Sequence, residues 1–246
     1  MEGKILIYSY SDALAHFGVG GAHPGGLALT KKIMAKENIS KNMKILDVGC
    51  GTGQTSAYLA KTYHAQVYAM DIHPVMLKKA KERFIREKLP ILLVKGSSEQ
   101  IPFKEREFDI IIAESVTAFT DVQKSLKEYR RVLKPNGILI TIDMTEEHPL
   151  TKVEKEELLQ FYHMKELLSE QDWLKSFREA GFKRTEILYK RTVWEELQNQ
   201  TEQSSEDQEF DYEFHHPLFI AIIQKHYDLN IQYGQKIGYR VFRSLS

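Results

Sequence analysis

The sequence predicts an α/β fold, a parallel sheet with helices packed on both faces. Two observations carry that expectation. Between residues 44 and 143, short apolar runs rich in Ile and Val alternate with longer segments of helical periodicity, the pattern of consecutive strand–helix–strand units. The first run, Lys44-Ile45-Leu46-Asp47-Val48, passes at once into Gly49-Cys50-Gly51-Thr52-Gly53, the composition of a strand turning sharply into a helix. Glycine lets such a turn take positive φ and approach a ligand closely. The first turn of the following helix offers unpaired N–H groups to an anion.

The elements follow in order. Residues 1–23 hold Ile5, Ile7, Tyr8 and Tyr10 and then become small and glycine-rich; they read as a flap closing over the ligand, with a frayed arm as the alternative. His23-Pro24-Gly25-Gly26 starts a helix whose apolar positions are Leu27, Leu29, Ile33 and Met34. After the glycine loop a helix runs to about residue 62, and Gln66–Met70 forms a second strand ending in Asp71, eighteen residues beyond Gly53. A carboxylate at that tip can accept both hydroxyls of a ribose; the bland alternative is a helix cap. His73 and Pro74 open a helix with Met76, Leu77, Ala80 and Phe84 on one face and many Lys and Arg on the other. Ile91–Val94 is a third strand, Phe108–Ala113 a fourth ending at Glu114, and Val122, Leu126, Tyr129 and Leu133 mark the next buried helix face. Lys134-Pro135-Asn136-Gly137 turns into a fifth strand, Ile138–Ile142.

Composition narrows the function classes. With 246 residues the chain suits one domain carrying an insertion. Lys plus Arg and Asp plus Glu number 34 each and cancel, so no global field selects nucleic acid or a charged membrane. The single cysteine, Cys50, excludes an internal disulfide framework and a cysteine zinc site and fits a reducing, cytoplasmic compartment. It reads as a small loop residue rather than a nucleophile. No apolar run approaches the ~20 residues of a membrane span, and the N-terminus lacks the form of a signal peptide.

Spacing identifies the ligand class. The dinucleotide fingerprint Gly-x-Gly-x-x-Gly and the triphosphate loop are both absent. Asp47, Gly49, Gly51 and Gly53 instead resemble motif I of the class I S-adenosylmethionine (SAM) dependent methyltransferases, an acidic residue followed by x-Gly-x-Gly-x-Gly. Gly96-Ser97-Ser98-Glu99-Gln100-Ile101-Pro102-Phe103 resembles that family's adenine segment Gly-Asp-Ala-Glu-x-Leu-Pro-Phe, and Leu133-Lys134-Pro135-Asn136-Gly137 its turn before the fifth strand. The resemblance covers residues 44–143 well and 24–43 loosely. It implies a Rossmann-like seven-stranded methyltransferase sheet, SAM as cofactor and no metal. It further implies contacts from Asp47, Gly49, Cys50, Gly51 and Gly53, from Asp71 and Ile72, from Ser97 and the Ser98 backbone, and from Glu114 and Gly26. Ser97 departs from the family's Asp, and a hydroxyl accepts the adenine amino group more weakly than a carboxylate.

Beyond residue 143, Ser169–Asp172 has the form of a capping box, Trp173, Phe177 and Ala180 share a helix face, and Phe182–Val193 is a sixth strand. Glu195–Glu213 holds eight acids and no Lys or Arg, the composition of a solvated loop or a partly disordered segment. Pro217 starts an Ile-rich helix ending near Gly234, and Ile237–Phe242 alternates as the last strand. The expected organisation is a single domain over 1–246: flap and helix 1–35, core 36–193, a helical insertion or lid 194–235 before the last strand, and that strand over 236–246. The insertion of roughly 40 residues exceeds an ordinary loop and suits a lid or a homodimer contact.

The acceptor is read by elimination. The fourth strand lacks the Asp/Asn-Pro-Pro-Tyr that follows it in amino-directed DNA methylation, no cysteine outside the glycine loop can serve cytosine C5 chemistry, and no double-glutamate hairpin is recognisable. A small organic acceptor with an apolar or aromatic body is expected. The alternatives are an RNA or protein substrate engaged by the Lys78–Lys88 helix, and a SAM sensor without turnover. Of the nine histidines, His23 and His148 are candidate bases near the mouth of the site.

Overall fold

The computed structural model describes residues 8–200 and 216–246. Seven strands form one sheet in the order β3-β2-β1-β4-β5-β7-β6. They are β1 (Lys44–Val48), β2 (Gln66–Asp71), β3 (Leu92–Lys95), β4 (Phe108–Glu114), β5 (Leu133–Glu146), β6 (Arg184–Thr192) and β7 (Ile237–Leu245). The pairings among β1 to β5 are parallel, whereas β7 runs antiparallel to both β5 and β6. Strand order reverses beside β1, and the crevice beyond the carboxyl ends of β1 and β4 is therefore where such a sheet binds ligands.

Alternate residues of each central strand feed two cores, as a strand buried on both faces requires. Leu46, Val48, Ile111, Ala113 and Leu139 meet α5 (Val122–Val132), α6 (Lys152–Tyr162), α7 (Glu170–Glu179) and α9 (Pro217–Tyr233) through Leu126, Tyr129, Leu158, Trp173, Phe177 and Leu229. Ile45, Ile110, Ile112, Ile140 and Ile142 meet α2 (Gly26–Met34) and α3 (Gln54–Tyr63) through Leu29, Ile33, Met34 and Leu59. Each fully buried Ile or Leu contributes about 2 kcal/mol. α4 (Pro74–Arg86) packs beside α3 through Ala80 and Phe84. Local chemistry sets the boundaries. The Asp121 side chain accepts from the Lys124 N–H and starts α5, and His73 does the same for Val75 ahead of Pro74 at the start of α4.

The fold class is as expected, including a helix before the last strand, but several elements differ. β5 is longer at both ends than Ile138–Ile142: Leu133 pairs with Phe108, the register then slips, and Ile138 pairs with Ile110. The expected turn sits inside that slip, with Asn136 at φ 62°. β7 extends β5 to Glu146 by pairing Ile237 with it. Both faces of β7 are buried, because Arg240, only 6% exposed, places its guanidinium on Glu147 and Glu170. Glu195–Gln200, expected as part of a solvated loop, lies in α8 (Val193–Gln200) instead. Glu196 is buried there, accepting from Tyr239 Oη and Arg191. The rest of that acidic stretch, and Ile5 and Ile7 of the flap, lie outside the described residues. Besides α8, two further helices were not anticipated, α1 (Tyr10–Phe17) and α6. Each begins with a complete capping box, Ser9 with Asp12 and Thr151 with Glu154.

Candidate active site

The glycine loop joins β1 to α3. The N–H groups of Gly49 and Cys50 both donate to the Met70 carbonyl, at 2.7 and 3.0 Å, and hold the loop against the end of β2. The alternate glycines have different surroundings. A Cβ on Gly49 would stand 2.2 Å from Val116 Cγ2, and one on Gly53 2.6 Å from the Phe84 ring. A Cβ on Gly51 would meet nothing nearer than Met76 Sδ at 3.9 Å. Gly49 and Gly53 are small because protein packs against them, whereas Gly51 faces open space. The N-cap of α3 is Gly53, so no side chain caps that helix end.

Three carboxylates stand around this loop. Asp47 is 2% exposed beneath it and accepts from the Ser56 hydroxyl at 2.5 Å. Burial, with Glu114 and Asp71 nearby, pushes its carboxyl up to about 7. Asp71 closes β2 and accepts from Gly51 N–H at 2.9 Å and His73 N–H at 2.7 Å. Burial raises its pKa, opposed by those two backbone donors. Beside it Ile72 is 63% exposed, an apolar side chain left open at the strand tip. Glu114 ends β4, and its oxygens accept from Thr30 Oγ1 at 2.5 Å and Thr55 Oγ1 at 2.7 Å. His23 Nε2 lies 3.3 Å from the same carboxylate, with the ring nearly buried.

Of the other sequence candidates, Gly26 opens α2 at φ 51°. Cys50 is buried, which raises its thiol well above the ordinary range, the surroundings of a structural rather than a reactive cysteine. Ser97 Oγ accepts from Glu99 N–H at 3.2 Å, and Ser98 points its hydroxyl inward to Ser125 at 2.8 Å. His148 is exposed on the β5–α6 connection, its N–H donating to the Lys236 carbonyl, and its ring joins none of these bonds. The structure thus brings His23 to Glu114 and leaves His148 apart. Sequence reasoning missed Thr30 and Thr55, whose hydroxyls hold Glu114, and an aromatic group beyond the β4 tip. There Phe119, on a single 3₁₀ turn (Thr117–Phe119), faces Tyr162 at 6.3 Å. Tyr162 packs on Tyr10 at 5.3 Å and its hydroxyl meets His226 Nδ1 at 2.8 Å. Tyr10 stacks on His226 at 4.7 Å, and burial lowers that imidazole to about 4.

Residues 46–141 match a sequence family described as a methyltransferase domain. The chain is 38% identical over 233 residues to an uncharacterized methyltransferase, YodH, of Bacillus subtilis, an alignment covering 95% of this chain and 97% of that one. The chain belongs to the class I SAM-dependent methyltransferases. This methyltransferase is also 35% identical over 114 residues to the demethylmenaquinone methyltransferase of Chlorobaculum tepidum, covering 46% of each chain. Its fold resembles phosphoethanolamine N-methyltransferase 2 of Haemonchus contortus, solved with SAM. That likeness has a TM-score of 0.78 and 18% identity, covering 98% of this chain and 58% of the other. The protein is an enzyme whose methyl donor is SAM. Among the described residues no helix is long and apolar enough to cross a membrane, and no group of three or more His, Cys, Asp or Glu is placed to hold a metal ion.

Proposed function

We propose that this methyltransferase modifies a small organic acceptor with an apolar or aromatic body, and that the crevice at β1, β2 and β4 holds the cofactor. The observation that carries the reading is the convergence at one crevice of an open-faced Gly51, an uncapped α3 terminus, an exposed Ile72 and two buried carboxylates, Asp71 and Glu114. These residues fit SAM part by part. Asp71 has lone pairs left for the ribose hydroxyls, Ile72 offers an apolar face to adenine, and the N-terminus of α3 suits the methionyl carboxylate. Asp47, Asp71 and Glu114 together favour a cationic ligand. Gly49 and Gly53 keep the loop low, Gly26 brings α2 to its edge, and Cys50 fills the space beneath. When bound, SAM supplies an electrophilic methyl on sulfur.

The chain's own part is to orient and to exclude water, which alone can supply a large share of such a rate. Thr30 and Thr55 hold Glu114 in place, and Glu114 holds His23 at the mouth of the crevice. Tyr10, Phe119, Phe161, Tyr162 and His226 form the aromatic wall on the acceptor side. Demethylmenaquinone methyltransferases among the relatives are named for an aromatic acceptor, which supports the same class here. The test is transfer of labelled methyl from SAM to a panel of small aromatic, amine and phosphorylated acceptors, with structured RNA alongside. Label appearing on RNA alone, with a steep salt dependence, would replace this reading with a nucleic-acid one.

A further inference from the structure

The segment from Ser9 to Gly26 contacts α9, α4, the start of α3 and the β4 tip in turn. At the acceptor end Tyr10 packs on Tyr162 and His226. In the middle, Asp12 of α1 meets His73 at the start of α4, and Lys79 of α4 donates to the His16 carbonyl. Farther on, Gly20 and Gly21 lie so close to the N-terminus of α3 that a Cβ on either would stand 3.1 or 3.0 Å from Gln54 Oε1. The segment ends with His23 on Glu114. A ligand held by Asp71, the glycine loop and Glu114 would lie beneath this strap.

His73 is the joint between strap and crevice, and three bonds fix its state. Its backbone N–H donates to Asp71 Oδ1 at 2.7 Å. Its Nδ1 accepts from Val75 N–H at 3.2 Å, so the ring proton is on Nε2. That proton points at Asp12 Oδ1, 3.1 Å away. One residue therefore holds the carboxylate proposed for the ribose, caps α4 and clasps α1. Asp12 is fixed in turn by its capping box with Ser9, so displacing the clasp also disturbs the start of α1.

We propose that His73 is a positioning residue that couples occupancy of Asp71 to seating of the Ser9–Gly26 strap, so that a bound cofactor closes the strap and the seated strap completes the acceptor wall with Tyr10. This rests on the cofactor placement proposed above. Binding of that kind must show as mutual stabilisation between ligand and strap.

The test separates the three bonds of His73. His73→Asn keeps a good helix cap for Val75 but is too short to reach Asp12; His73→Gln restores a donor at the longer reach. SAM and S-adenosylhomocysteine are the probes, calorimetry and stopped-flow give affinity and release rate, and hydrogen exchange reports the amides of α1 and α4. In the wild type, either probe should slow exchange across α1 by tenfold or more. In His73→Asn this protection should shrink to less than twofold and release should quicken about tenfold, the loss expected for one charge-assisted bond, while α4 stays protected. His73→Gln should recover most of the α1 protection. Full α1 protection and unchanged release in His73→Asn would overturn the clasp, as would equal loss of protection in α1 and α4. If neither probe binds the wild type at all, the cofactor placement falls first, and the clasp with it.

Discussion

Replacing Gly51 or Gly53 by alanine should separate folding from binding within one five-residue loop. Both residues have positive φ, 53° and 78°, where a Cβ costs about 1–2 kcal/mol. At Gly53 the added methyl also lands 2.6 Å from two carbons of the Phe84 ring and 3.2 Å from Ala80 Cβ, inside a buried contact. Displacing such a ring costs roughly 1–3 kcal/mol more. At Gly51 the nearest atom is Met76 Sδ at 3.9 Å, so the backbone term stands alone. Gly53→Ala should therefore be less stable than Gly51→Ala by about 2 kcal/mol. For a domain of this size that is a gap of about 4–8 °C in Tm. Affinity for SAM should fall in the opposite order. The Gly51 methyl projects into the proposed cofactor space, beside the N–H that holds Asp71, and should weaken binding about tenfold or more. Thermal unfolding and calorimetry on the two variants decide it. Equal Tm values would refute the packing argument. Wild-type SAM affinity in Gly51→Ala would refute the placement of the cofactor over this loop.

Other substitutions test the remaining groups. Asp71→Ala should reduce SAM affinity by at least tenfold in calorimetry while leaving the fold intact, since ribose recognition is assigned to this carboxylate. His148→Ala should leave SAM affinity within twofold, because its ring stands exposed and outside the crevice contacts; loss of binding would contradict that. Asp143 is fully buried and pushed up to about 6 by burial, so its stabilising share is complete below pH 3.8 and is lost as pH rises to 6. Asp143→Asn can still accept from Ala118 N–H and should raise stability at pH 8 by about 1–3 kcal/mol in urea unfolding. His226 has the opposite sign. Its imidazole is depressed from 6.5 to about 4, so stability should fall by roughly 3 kcal/mol as pH drops from 6.5 to 4, and His226→Gln should remove that slope.

The sheet was legible wherever a strand's own residues decide its fate. Ile110, Ile111 and Ile112 are apolar on both faces, as a central parallel strand must be. Asp71 and Glu114 could be placed because a polar residue ending such a run has only the strand tip to occupy. What escaped depends on distant partners. β5 reaches Glu146 only because β7 lies beside it, and Arg240 can be buried only because Glu147 and Glu170 surround it. α1 and α6 carry capping boxes in plain sight, yet each buries only two of its residues and α1 spans eight, so the cap alone had to announce them. The contacts of Thr30 and Thr55 with Glu114 span 84 and 59 residues, and nothing local in sequence signals them.

The acidic lining of the crevice bears on turnover as well as on capture. Asp47, Asp71 and Glu114 surround the glycine loop, and burial together with its two neighbours already pushes the Asp47 carboxyl up. In the proposed arrangement these groups distinguish two ligands of almost the same shape, the sulfonium donor and the uncharged thioether left after use. The donor relieves the crowding of negative charge; the spent form does not. Such a lining should hold the donor more tightly than the spent form, so the loss of one positive charge at the sulfur also loosens the hold on the ligand.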